Sequence, residues 1–168
     1  MKSRSNNISK NKSNMGLIYT LILLFVIIGF IVFLIIMQIE EYKLQDDPML
    51  KKLRSRIEPL FKGDNYYTGL LSPLNKRDIL NEITLYKGDK SYTINKQKVF
   101  LCLKDQNNEY YDINMLLYVL LHEISHVICD EVGHTDKFAK IFEELLEKAE
   151  EMKIYNSDIP IITDYCQY

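Results

Sequence analysis

His122, Glu123 and His126 stand in the pattern H-E-x-x-H, and with His134 they include every histidine of the 168-residue chain. Side chains four residues apart project from one face of an α-helix, one turn above the other. Two imidazoles placed that way can share one metal ion, and zinc favours such nitrogen donors. The glutamate after the first histidine then lies beside the metal, where a carboxylate can take a proton from water. Zinc lowers the pKa of water it binds from about 15.7 toward about 7, so this pair of histidines and a base points to hydrolysis at neutral pH.

One helix face cannot surround an ion, so a third ligand must come from elsewhere. His134 follows Gly133, where the chain can reverse and bring an imidazole back over the helix. The alternatives are Glu143, Glu144 and Glu147 on the following helix, which fall on its charged face. With three protein ligands, the fourth position stays open for water. Cys129 leaves a second arrangement open. It lies three residues after His126, on the same helical face, and with the three histidines it would close a structural site without water. Packing beneath the site as a small apolar residue is its other role. A lone core histidine is ordinary. An acid inside an otherwise apolar helix is costly without a nearby cation, which favours a metal site.

The elements that must position these residues follow from periodicity and caps. Asp112 is a suitable N-cap for a helix running to about Asp130, whose apolar run from 115 to 121 covers every side and predicts a central, buried position. Thr135 caps the next helix, with Asp136 in its first turn. There Phe138, Ile141, Phe142, Leu145, Leu146, Ala149 and Met152 form one apolar stripe opposite a Glu and Lys face. Upstream, Asp46-Asp47-Pro48 starts a helix carrying Leu50, Leu53, Ile57 and Leu60, which Pro59 and Gly63 should end. Residues 63–81 read as loop. Strands are expected at 83–86, 91–94 and 98–104, the last two as a hairpin through Asn95-Lys96. Strand 98–104, if it is an exposed edge, can pair with an extended peptide. Residues 156–168 read as irregular or short strand.

Ahead of this domain, residues 15–39 are 25 uncharged residues in a row. About 20 apolar residues cross a bilayer core, so the stretch is long enough to span one with some tilt. It exceeds the roughly 7–15 apolar residues of a signal peptide and no small-residue cleavage site follows, so an uncleaved anchor is expected. Residues 1–14 form a polar tail read as disordered. Residues 1–39 hold four basic side chains and no acid, whereas the rest of the chain holds 17 basic side chains against 23 acids, a net of −6. The basic tail favours a cytosolic amino terminus with the domain on the far side. No basic face is evident, so nucleic acid is not an expected partner. Three cysteines, Cys102, Cys129 and Cys166, allow at most one pair, which spacing does not choose.

His122-Glu-x-x-His126 followed by Gly133-His134-Thr-Asp-Lys-Phe138 resembles the WLM and SprT-like metallopeptidases over roughly residues 90–155. In that group the third zinc ligand follows a glycine-containing turn, with an aromatic residue four positions later. The likeness extends to small membrane-anchored WLM-like proteins of large DNA viruses. It implies a Zn²⁺ site on His122, His126 and His134, Glu123 as general base, a protein or peptide substrate, and a host or virion membrane. The loop between His126 and His134 is longer here, and no DNA-binding extension is recognisable, so repair of DNA–protein crosslinks is not carried over. Tyr155 and Tyr165 are candidates to support an oxyanion. The expected architecture is α+β: a polar tail (1–14), a transmembrane helix (15–39), a juxtamembrane helix (40–62) and a zincin-like domain (63–168) with a small antiparallel sheet, the site helix behind it and one following helix. The rival from another class is a non-catalytic virion or assembly protein that keeps a zinc fold, and a third option is hydrolysis of a non-peptide amide. The oligomeric state is left open.

Overall fold

The computed structural model describes residues 2–63 and 65–166, with side chains from Met15 onward. Contacts divide it into two units, Met1–Lys43 and Leu44–Tyr168. The first is the greater part of helix α1 (Lys2–Gln45). Every side chain from Met15 to Leu44 is exposed. The helix is long and apolar enough to cross a membrane. Thr20 returns its hydroxyl to the carbonyls of Leu17 (2.8 Å) and Gly16 (3.2 Å), so this polar group is satisfied within the helix. The polar residues 2–14, expected to be disordered, continue the helix instead. Extending a helix that an apolar stretch has nucleated costs far less than starting one.

The second unit is built from capped helices around a small sheet. Asp47 accepts a hydrogen bond from the Met49 amide (2.9 Å) and starts helix α2 (Pro48–Phe61). Leu50, Leu53, Ile57 and Leu60 are its buried face. Pro59 sits inside its last turn and the helix runs on to Phe61. The stretch read as loop contains a 3₁₀ segment, Gly69–Lys76, and a short helix α3 (Ile79–Glu82) capped by Asp78. Leu71, Leu74, Ile79 and Leu80 from it are buried in the core. Its Gly and Pro content hides these turns, because 3₁₀ segments are short and lack the 3.6-residue period.

Strands β1 (Thr84–Lys87), β2 (Tyr92–Ile94) and β3 (Lys98–Leu101) make one sheet in the order β1-β3-β2. The sheet is mixed, which corrects the expected antiparallel one: β2 pairs antiparallel with β3, and β1 pairs parallel with it. Asn95 and Lys96 both take positive φ (52° and 56°), the inverted turn that suits a hairpin's twist. That turn returns β3 along the direction of β1, and the other edge of β3 then pairs with β1. Strand β3 is therefore internal, and the peptide-pairing edge expected at 98–104 is not there. Its centre suits residues apolar on both faces: Val99 and Leu101 are buried, while Phe100 stacks between Tyr86 (4.8 Å) and Tyr92 (4.7 Å) of the flanking strands.

Helix α4 (Ile113–Ile128) crosses the centre of the unit, and helix α5 (Asp136–Glu151) packs beside it. Asp112 caps α4 through the Asn114 amide (2.7 Å). Thr135 caps α5 through the Phe138 amide (3.3 Å). Phe138, Ile141, Leu145 and Ala149 are the buried part of the α5 stripe. The tail after α5 has no regular element. Its root is fixed by a reciprocal pair: the Asn156 amide donates to Asn114 Oδ1 and Asn114 Nδ2 donates to the Asn156 carbonyl, both at 2.9 Å. Its far end is held by a Cys102–Cys166 disulfide with the Cα atoms 6.3 Å apart. Residues 167 and 168 of the expected tail lie outside the described residues.

Candidate metal centre

Helix α4 is buried almost all round, and the exceptions form a pattern. After its first residue, only Tyr118, His122 and His126 are half-exposed. They stand four residues apart, so the helix shows one narrow stripe to the outside, and two of its three members are imidazoles. The carboxyl end of α4 is braced by cations on its orphan carbonyls: Arg77 donates to Val127 O (3.2 Å) and Lys96 to Cys129 O (2.5 Å). Lys96 lies in the β2–β3 turn, so this contact also docks the hairpin against the site helix.

The connection to α5 carries His134. Gly133 has φ +86°, a conformation that costs a side-chain-bearing residue and that reverses the chain. An Asp130–Lys137 ion pair (2.6 Å) closes the base of the loop. The histidine is exposed and folds back over α4. His122 Nε2 and His134 Nε2 come within 3.0 Å. Ligating atoms of all three histidines lie within 4.8 Å of one another. Two nitrogens about 2.0–2.1 Å from one tetrahedral ion stand about 3.3 Å apart, so the first pair matches a shared zinc closely. The donor chemistry and the spacing both fit the ion.

Electrostatics favours the ligating form. Burial, then the His126 and His134 rings, push the His122 pKa down to about 4. Burial also lowers His126, with His134 and Lys96 adding to it. A neutral imidazole is the species that binds metal. Phe138 is the wall behind all three rings. It stacks on His126 at 4.2 Å and stands edge-on to His122 and His134 at 4.9 Å. Phe142 meets His122 edge-on at 5.1 Å. These contacts limit the rotamers of the histidines.

Glu123 is buried, at 5% exposure. Burial raises its pKa, and a hydrogen bond from Thr93 opposes the rise. The Thr93 hydroxyl lies 2.7 Å from Glu123 Oε2 and 3.2 Å from its backbone carbonyl. Thr93 belongs to β2, an edge of the sheet, so the strand bordering the cleft also holds the carboxylate. A cleft of about 600 Å³ joins these parts, lined by β2 and its turn, by His122, Glu123 and His126, and by the loop 131–134.

The structure thus brings His122, His126, His134 and Glu123 together. It leaves the alternatives apart. Cys129 is fully buried in the core and lies outside the group of ligating atoms. Glu144 faces Gly69, with its carboxylate 3.4 Å from where a Cβ would stand, and Glu143 and Glu147 are exposed outside the cluster. Tyr155 is buried against Tyr118. The Tyr165 hydroxyl is engaged with the Cys102 carbonyl (2.5 Å) and with Ser91 Oγ (2.8 Å). Thr93 and Phe142 were not legible as site residues, because a threonine in a short strand and a phenylalanine in an apolar stripe carry no distinguishing pattern.

Three viral proteins resemble this chain. Uncharacterized protein 136R of invertebrate iridescent virus 6 is 46% identical over 125 residues, 70% of each chain. Uncharacterized protein 042R of invertebrate iridescent virus 3 is 36% identical over 151 residues, 84% of this chain and 94% of its own. Uncharacterized protein R325 of Acanthamoeba polyphaga mimivirus is 35% identical over 96 residues, 53% of this chain and 48% of its own. No protein-family profile matches the chain, and no solved structure matches it.

Proposed function

The chain belongs to the family of viral proteins that includes 136R and 042R of the invertebrate iridescent viruses, and we propose that this member is a membrane-anchored zinc metallopeptidase of the WLM and SprT-like kind. The observation that carries the reading is the meeting of three imidazoles within 4.8 Å beside a buried glutamate in an open cleft. His122, His126 and His134 would hold the metal. Zinc there supplies Lewis-acid polarisation of a carbonyl and acidifies water. Glu123, held by Thr93, accepts the proton of the attacking water and passes it to the nitrogen of the departing amine. An extended substrate lies along β2, the sheet edge that borders the cleft.

Helix α1 anchors the enzyme in a host or virion membrane. The Cys102–Cys166 crosslink supports a domain on the non-cytosolic side, because disulfides persist in oxidising compartments. The test uses the full chain in detergent, loaded with zinc and incubated with a peptide library beside Glu123→Gln. The expected result is about one zinc per chain in both. Cleavage should fall roughly 10²–10⁴-fold in the variant. A chain that binds no zinc, or a Glu123→Gln chain that cleaves as well as the wild type, overturns the reading. Zinc without cleavage would make the site structural.

A further inference from the structure

A second recess, of about 530 Å³, opens beside the metal cluster and shares His122 and Glu123 with the first cleft. One wall is helix α4. Met115, Tyr118, Val119 and His122 lie at i, i+3, i+4 and i+7, so one face of the helix leads from the recess floor to a ligating imidazole. The other wall is the irregular tail, which contributes Ile161, Ile162 and Tyr165. We infer that this recess is a specificity pocket that receives an apolar side chain of the peptide substrate, next to the bond that is cut. The inference rests on the metallopeptidase reading for the word substrate.

Three observations support an apolar occupant. The walls offer methyl, thioether and ring surfaces, and burying such a side chain is favourable in proportion to the area removed from water. Two polar side chains of the lining are already engaged: the Tyr165 hydroxyl is with Cys102 O and Ser91 Oγ, and Ser91 Oγ also accepts the Cys102 amide at 3.0 Å. The ionised side chains of the lining are few: Lys90 is exposed, and Glu123 is buried and bonded to Thr93. Distance fixes which side chain enters. Tyr118 and Val119 lie about one helical turn, roughly 5.4 Å, from His122. An extended peptide advances about 3.3 Å per residue, so a residue adjoining the bond at the metal reaches this recess.

The tail wall is a strap tied at both ends. Asn156 is bonded to Asn114 at its root. At its far end Cys166 is crosslinked to Cys102, its amide donates to the Tyr111 hydroxyl (3.1 Å), and Tyr111 and Tyr165 pack at 4.9 Å. Between the ties Ile162 remains 45% exposed. The crosslink therefore holds this wall of the pocket in place.

The test reads cleavage and binding separately, on the full zinc-loaded chain in detergent. Cleavage is measured on matched peptides that carry Leu, Phe, Asp or Lys beside the scissile bond. Affinity for the same peptides is measured by fluorescence polarisation on Glu123→Gln. Leu and Phe peptides are expected to be cleaved, and bound, at least about tenfold better than Asp or Lys peptides. Ile162→Asp should remove that preference by lowering cleavage and binding of the Leu and Phe peptides at least about tenfold, and Cys166→Ser should weaken it. Ile162 is exposed, so its replacement does not threaten the core. Cleavage without an apolar preference, or a preference untouched by Ile162→Asp, overturns the pocket and leaves the peptidase standing. An apolar binding preference without cleavage by the wild type overturns the peptidase and leaves the pocket. Neither binding nor cleavage overturns both.

Discussion

Helices α1 and α4 are both apolar on nearly every side, and they end in opposite environments. From Met15 to Leu44 every side chain of α1 is exposed, whereas α4 is buried except along one stripe. An all-round apolar helix must leave water, but its sequence does not say into what. Protein surrounds α4 because α2, α5 and the sheet supply partners. For α1, length and apolar composition are compatible with lipid. Their polar residues teach the same lesson. Thr20 of α1 bonds its own backbone. In α4 Ser125 does the same, donating to the Leu121 carbonyl (2.8 Å), but other polar residues reach elsewhere in the fold: Asn114 to the tail, Glu123 to β2, and His122 with His126 to the cleft.

The contrast is broken or sharpened by paired substitutions. Leu121→Ala, at a fully buried site of α4, should destabilise the domain by about 2–5 kcal/mol. Leu24→Ala in α1 should leave domain unfolding within about 0.5 kcal/mol. Denaturant melts followed by tyrosine near-UV signal compare them, and equal losses would show that α1 depends on protein packing too. Asn114→Ala removes both bonds to Asn156 and should cost about 1–3 kcal/mol. Thr20→Ala should cost the domain nothing measurable. Gly133→Ala puts a Cβ at φ +86° and should cost about 1 kcal/mol, with weaker zinc retention seen by competition with a chelator.

The most gradual effect is expected from pH. His122 stays neutral in the fold down to about 4, chiefly through burial, against about 6.5 in the unfolded chain. Between those values the unfolded state binds the proton and the native state does not. The contribution is therefore complete above pH 6.5, declines as pH falls toward 4, and levels off below that. His126 shifts in the same direction. Thermal melts of the metal-free chain across that range check this, and His122→Gln should flatten the profile.

Features encoded within one or two turns were legible in the sequence. Asp47, Asp112 and Thr135 cap the helices they precede, and the stripes of α2 and α5 face the core. Other features depend on partners far along the chain. The parallel pairing of β1 with β3 follows from which edge remains after the hairpin closes, and no alternation within a strand encodes that. The 3₁₀ segment and α3 were hidden because turns this short carry no period. Thr93 acquired its place from the sheet order, which lays β2 over Glu123.

By itself the sequence determined that two imidazoles and a carboxylate share one turn of a helix, since a 3.6-residue period places them whatever surrounds the helix. It likewise determined that residues 15–39 are a stretch long and apolar enough to cross a membrane. Only the tertiary structure decided that His134 joins His122 and His126 while Cys129 turns into the core. It also decided which cysteines pair: Cys102 and Cys166 are 64 residues apart, and their meeting depends on the path of the tail across α4. Local geometry repeats with every turn of backbone, but a contact between distant segments exists only once the core has brought them together.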